Sequence, residues 1–423
     1  MSMERVNKII TMLENGQHNE ALTEYNYVLQ NGMPDEKFIL GEEMYQYGFL
    51  EEAKSLIENL LETFPEEGEL LVLLGEILVE AGEDEEAILV LEKISEHDAN
   101  FGQSLLLLAD LYQVQGLYEV CERKLLKAKE MLPDEIIIDF ALGELYSDQG
   151  EVTKALEAYE KVLKEENEIA GVNIDQRIAD LLSVSGMFEE ALVYYEKAIN
   201  EKLEINTLFG YGFTALQAGY YKTAIAKFTE LKELDPEYHS LYLHLALAYE
   251  REGELENSLI TIQEGIKQDE FNKELFFFGG KIATQIGKVE EGEQYFREAL
   301  ALDPGFIEAA LTLNKLFLLQ ERYEDIIDLI TELDIKEDEE PQLLWDAAVS
   351  YQKLEKFSFA LDKYESAYTF FKKNETFLQD YGYFLIEEGK SDTAAEIFKQ
   401  LLNEDPTNGE YMDLLERLTG LKD

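Results

Sequence analysis

Glycine returns in this chain at a nearly constant interval, and that interval limits the folds open to it. Gly16, Gly48, Gly82, Gly116, Gly150, Gly186, Gly219, Gly253, Gly287 and Gly389 mark the positions, with Glu321 and Glu355 in the two slots between the last pair. The successive spacings are 32, 34, 34, 34, 36, 33, 34, 34, 34, 34 and 34 residues. A period near 34 belongs to a stacked array of helical hairpins, in which no hairpin buries its own apolar face and each must pack on its neighbours.

The stretch Leu142 to Ala155, LGELYSDQGEVTKA, shows the unit. Five residues after most turns stands a small residue, such as Ala53, Cys121, Ala155 or Ala394, and four further on a large one, such as Tyr159, Tyr195, Phe228, Phe296, Tyr364 or Phe398. Small residues let two helices approach closely, and the large ring fills the space beyond. Glycine at the turn takes the left-handed conformation that ends the first helix. Pro65, Pro133, Pro236, Pro304 and Pro406 follow the small residue by twelve positions and stop the second helix.

This pattern resembles the tetratricopeptide repeat family over nearly the whole chain, in about twelve repeats from Ser2 to Pro406. The resemblance implies an all-α fold, a right-handed superhelical solenoid of antiparallel helical hairpins. The expected organisation is a repeat array over residues 1–406 and a C-terminal capping helix over 407–423, where Leu414, Leu415 and Leu418 cover the end of the stack. The family's tryptophan near the repeat start is replaced by Leu71, Leu344 and similar residues. Glutamate at two turns costs about 1 kcal/mol each if the left-handed geometry is kept. Lys164–Asn173 carries a two-residue expansion and is expected as a longer loop. Lys336–Pro341, KEDEEP, is expected as an acidic loop and a weak break.

Composition sharpens the functional expectation. The chain has 423 residues, 46% of them hydrophobic, with 90 acidic against 36 basic side chains and a formal net charge of −54. Such a surface repels nucleic acid and anionic membranes and attracts basic protein surfaces. Residues 34–100 hold 20 acidic and only three basic side chains. The charge argues against tight self-association, so a monomer or weak association is expected. No apolar run is long enough for a membrane span, and the N-terminus lacks the apolar core of a secretion signal. A cytoplasmic, bacterial protein is expected. The single Cys121 falls in a core slot and excludes a disulfide framework. Repeats begin almost at Met1, leaving no room for the effector bundle of bacterial tetratricopeptide sensors.

No catalytic constellation or cofactor motif is present. His18, His97, His239 and His244 have no metal-ligand spacing, and there is no phosphate loop, nucleophile elbow or calcium loop. The informative slot is the residue after the close-contact position of each first helix, which faces the concave groove in solved members of the family. It carries Glu42, Glu76, Asp110, Glu144 and Asp180 in repeats two to six. Phe213, Leu247, Lys281, Lys315, Val349 and Tyr383 follow. One helical turn earlier stand residues such as Phe209, Phe277 and Trp345. The resemblance therefore implies a groove with an acidic ladder in its first half and aromatic residues with two lysines in its second. Relatives that grip acidic chaperone tails use basic or amide residues in these slots, where repeats two to six carry carboxylates, so that activity is not expected in the N-terminal half.

The expected function is a non-enzymatic protein–protein scaffold. Its groove takes a basic, partly apolar segment of a partner protein, such as a component of transcription or translation machinery. A chaperone-like holder of unfolded chains and a peptide-sensing regulator are the alternatives. No cofactor, metal, nucleic acid or membrane partner is expected.

Overall fold

The computed structural model describes residues 2–333 and 340–420. Lys336–Glu339, most of the expected acidic loop, lie outside the described residues. The chain falls into two compact units, residues 1–203 and 204–423. The first contains α1 (Ser2–Glu14), α2 (His18–Asn31), α3 (Pro34–Gln46), α4 (Leu50–Leu61), α5 (Gly68–Glu80) and α6 (Asp84–Leu91). It continues with α7 (Phe101–Val114), α8 (Tyr118–Met131), α9 (Ile136–Asp148), α10 (Val152–Leu163), β1 (Glu168–Ile169), β2 (Val172–Asn173), α11 (Ile174–Val184) and α12 (Phe188–Glu201). The second contains α13 (Ile205–Gln217), α14 (Tyr221–Leu234), α15 (Ser240–Glu252), α16 (Leu255–Gln268), α17 (Lys273–Gln285) and α18 (Val289–Leu302). It ends with α19 (Ile307–Leu319), α20 (Tyr323–Glu332), α21 (Pro341–Lys353), α22 (Phe357–Phe371), α23 (Glu375–Glu387), α24 (Ser391–Glu404) and α25 (Gly409–Gly420).

Within each unit every helix packs on the one before and the one after, the nearest-neighbour order of an all-α repeat solenoid. The close-contact slot fixes the distance between the two helices of a hairpin. A Cβ added at Gly143 would meet the Tyr159 ring at 2.6 Å, and one added at Gly280 would meet Phe296 at 2.5 Å. Both rings are almost wholly buried. The tenth repeat departs from this pattern. Asn314 fills the slot, fully buried, with Nδ2 directed at Asp346 Oδ2 3.5 Å away and Oδ1 without a partner.

The turn has one geometry throughout. In the fifth repeat Gly150 has φ 71°. Its N–H donates to Ser147 O at 3.0 Å, and the Glu151 N–H donates to Tyr146 O at 2.8 Å. This is the paired bond that closes a helix C-terminus through a left-handed residue. Glu321 and Glu355 adopt it too, with φ 55° and 58°. The Lys356 N–H donates to Tyr351 O at 2.8 Å, so the packing of the two helices overrides the backbone preference of glutamate.

The expansion at Lys164–Asn173 is not a plain loop. Glu168 pairs with Asn173 and Ile169 with Val172 in a two-stranded antiparallel hairpin. Ala170 and Gly171, with φ 51° and 79°, make the tight turn whose twist matches the strands. At the C-terminus α25 packs on α24. It buries Tyr411 and Leu418, with Leu414 and Leu415 partly covered.

Two stability measurements check this account. Glu355→Gly raises the urea midpoint, by the equivalent of about 0.5–1 kcal/mol, because it removes left-handed strain at a net gain over the added chain entropy. Gly280→Ala lowers it by about 1–3 kcal/mol, because the new methyl overlaps the Phe296 ring.

Candidate functional site

In the first unit the five expected acidic positions fall on successive first helices. Glu42, Glu76, Asp110, Glu144 and Asp180 stand on α3, α5, α7, α9 and α11, each one residue past the close-contact slot. Side chains link these first helices directly. Gln103 Nε2 on α7 donates to Glu76 Oε1 on α5 at 3.1 Å, and Gln113 Nε2 donates to Asp148 Oδ2 on α9 at 2.7 Å. Asp110 is exposed; the other four rungs are half-buried.

The five rungs are not equivalent. Behind Glu42, Glu76 and Asp110 the second helices offer aliphatic residues, Ile57, Leu91 and Leu125. Behind Glu144 and Asp180 they offer tyrosines. Tyr159 Oη donates to Glu144 Oε1 at 2.5 Å, and Tyr195 Oη donates to Asp180 Oδ1 at 2.5 Å. Arg177 Nη2 lies 3.2 Å from Glu144 Oε2. Burial, reinforced by Glu69 and Glu43, holds the Glu42 carboxyl above the usual carboxylate range. Burial does the same to Glu76, against the Gln103 hydrogen bond. It also raises Asp180, where the Tyr195 hydroxyl and Arg177 oppose it. Among the described residues no cation forms an ion pair with Glu42, Glu76 or Asp110. The ends of two first helices add apolar surface: Val114 is 77% exposed and Val184 91%. Val184 lines a cavity of about 190 Å³ together with Glu144, Tyr159, Arg177, Asp180 and Leu181.

In the second unit the expected aromatic stretch is more core than surface. Phe277 is only 7% exposed, packed on Phe296 at 5.8 Å and Phe306 at 5.1 Å. That corrects its assignment to a groove: the turn-earlier slot there packs between Phe296 of the same hairpin and Phe306 at the start of the next repeat, which covers the ring. Lys281 Nζ lies 5.4 Å from that ring, and Lys315 is exposed. Phe209 and Phe213 are half-buried and close on His244, with ring centroids 5.5 and 5.2 Å away. Burial lowers the His244 pKa. Trp345 Nε1 donates to Asp380 Oδ2 at 3.1 Å, and Tyr383 Oη donates to Glu410 Oε1 at 2.5 Å.

The tyrosine partners of the last two rungs were missed from the sequence, although the change from aliphatic to tyrosine four residues after the small slot was visible there. Arg177 had no such signal. Cys121 is buried, and its thiol is pushed up to about 11 by burial and then by Asp110 and Glu122. Among the described residues no cluster of histidine, cysteine or acidic side chains is arranged to hold a metal, and no helix is long and apolar enough to cross a membrane.

Stacked helical hairpins with a polar first-helix face define the class, an all-α repeat solenoid. The chain belongs to the tetratricopeptide repeat family. Models of YpiA-like C-terminal tetratricopeptide repeats match residues 341–408, and YpiA-like tetratricopeptide repeats match 113–167. General tetratricopeptide models match 45–111 and 275–306. The TPR repeat-containing protein YpiA of Bacillus subtilis (strain 168) is 45% identical over 413 residues, 98% of each chain. Among solved structures, PilW, a type IV pilus biogenesis factor, is 18% identical, with 50% of this chain and 98% of that one covered at a TM-score of 0.41. YrrB, a TPR protein with an unusual peptide-binding site, is 20% identical, with 44% and 95% covered at 0.38. Chains of this family serve as protein-interaction scaffolds and are typically non-enzymatic.

The raised carboxyls give a pH dependence of defined sign. Glu42, Glu76, Asp175, Asp180, Asp346 and Asp380 all bind a proton more tightly folded than unfolded, chiefly through burial. Their contribution to stability is complete below the unfolded pKa and is lost as pH rises through the folded one. Glu24, Glu293, Asp303 and Asp325, lowered by bonded lysine or arginine, act in the opposite sense. Lower pH also relieves repulsion within a chain of net charge −54. The melting temperature therefore rises as pH is taken from about 8 towards about 5, and added salt raises it at the upper end. A flat or falling profile contradicts this balance.

Proposed function

We propose that the chain is a scaffold whose first-helix face in the first unit forms a groove for a basic, partly apolar segment of a partner protein. One observation carries the reading. Glu42, Glu76 and Asp110 stand in consecutive repeats with no cation paired to them among the described residues, and two of the three are held above the usual carboxylate range by burial. Carboxylates on a freely solvated face do not carry that burden. A partner's lysine or arginine relieves it, steers encounter and fixes register, while Val114 and Val184 supply apolar contact.

Basic protein surfaces in a cytosol belong largely to nucleic-acid machinery, so a transcription or translation component is the partner class, with no direct contact to nucleic acid. The protein acts in the cytoplasm as a monomer or weak self-associate. Phe209, Phe213, Lys281, Lys315, Trp345 and Tyr383 form a secondary surface in the second unit.

The test is affinity capture at about 0.15 M salt, where screening acts beyond about 8 Å, and again at higher salt. Wild type runs beside a Glu42→Lys, Glu76→Lys, Asp110→Lys bait. One or two basic partners are expected, weakened by salt and bound about tenfold or more weakly by the bait, the combined effect of three reversed contacts. Many partners insensitive to both changes overturn the proposal and favour a chaperone-like holder.

A further inference from the structure

The first-helix face of the first unit already holds one basic group on a rung, and it comes from the chain itself. Arg177 reaches from α11 to Glu144 on α9, with Nη2 3.2 Å from Oε2 and a side chain 43% exposed. On the arginine's side the seat is incomplete. Its Nε is buried and has no acceptor. A buried N–H left unmade is unfavourable, so charge, rather than a full set of hydrogen bonds, holds the guanidinium there. Asp180, one turn away on the same helix, also interacts with it.

We infer that Arg177 fixes where the cation-accepting part of the ladder ends, occupying Glu144 and screening Asp180 as a partner's arginine would. An incoming basic segment is thereby confined to Glu42, Glu76 and Asp110. The inference rests on the scaffold reading above and specifies the partner further. Beyond Asp110 the face presents a neutralised rung and then Val184 and Leu181 at the 190 Å³ cavity. The segment it fits has a basic part that gives way to a neutral, apolar part. The tyrosines reinforce the division, since Tyr159 and Tyr195 satisfy the last two rungs from within the core.

The test uses the full chain and a fluorescent peptide alternating lysine and leucine, long enough to span the whole face, with binding read by anisotropy at low salt. Arg177→Met, which removes the charge and keeps the apolar stem, is expected to bind about two- to fivefold more tightly, the effect of one exposed ion pair. Arg177→Lys stays near wild type. The paired change Arg177→Met with Glu144→Gln removes both charges and stays within about twofold of wild type, whereas Glu76→Gln weakens binding by about two- to fivefold. Arg177→Met binding no more tightly than wild type overturns the inference. So does the paired variant losing as much affinity as Glu76→Gln, which also decides the matter if Arg177→Met alone fails to fold. Wild type failing to bind the peptide at all overturns the scaffold reading itself, and this inference with it.

Discussion

The closeness of two helices at one small residue is the constraint on which the rest of this structure depends. At Gly143 and Gly280 the neighbouring ring sits where a side chain would begin. That contact sets the hairpin's width, the width sets which side chains reach across it, and the reach decides whether a surface carboxylate has a partner. Tyr159 shows the sequence of causes in one residue. Its ring packs against the glycine because the helices are near, and its hydroxyl then ends on Glu144. Where the same slot holds Leu91 or Leu125, the second helix brings no hydroxyl to the rung in front of it, and Glu76 has only the Gln103 amide of the next first helix.

This dependence explains what could be read from the residues alone. The turns were legible because a left-handed residue is a backbone requirement that repeats at fixed spacing. Glu321 and Glu355 were legible at the same slots, since a solenoid cannot skip a turn without breaking the stack. The positions of the five rungs followed from the same period. The hairpin at Glu168–Asn173 was not legible, because two-residue strands have no alternation to detect and only Ala170–Gly171 hints at the turn. Phe277 was misplaced because one helical turn from a groove slot also faces the adjoining repeat, and only packing shows which contact wins. Arg177 was invisible as a rung partner because its contact crosses to another repeat.

Charge divides the molecule along the same lines. A net charge of −54 is tolerated because a repeat stack has much surface for its volume and keeps most carboxylates in water. The exceptions are informative. Asp139 is only 5% exposed and is met by Lys129 Nζ at 2.6 Å, so its charge is balanced inside the stack. Glu42 and Glu76 are partly withdrawn from water without that balance, and it is the difference between the two situations, rather than acidity in general, that singles out one face.

The tyrosine–carboxylate pairs have a consequence for how such a face changes over time. Because Tyr159 and Tyr195 are almost wholly buried yet terminate on groups at the surface, the electrostatic character of the exterior is partly written in the interior. Exchanging phenylalanine for tyrosine at a core slot leaves the exterior residues unaltered and still retunes what they attract. A lineage can therefore drift in preference while the outward-facing sequence stands still, and comparison of surface residues alone misses the event.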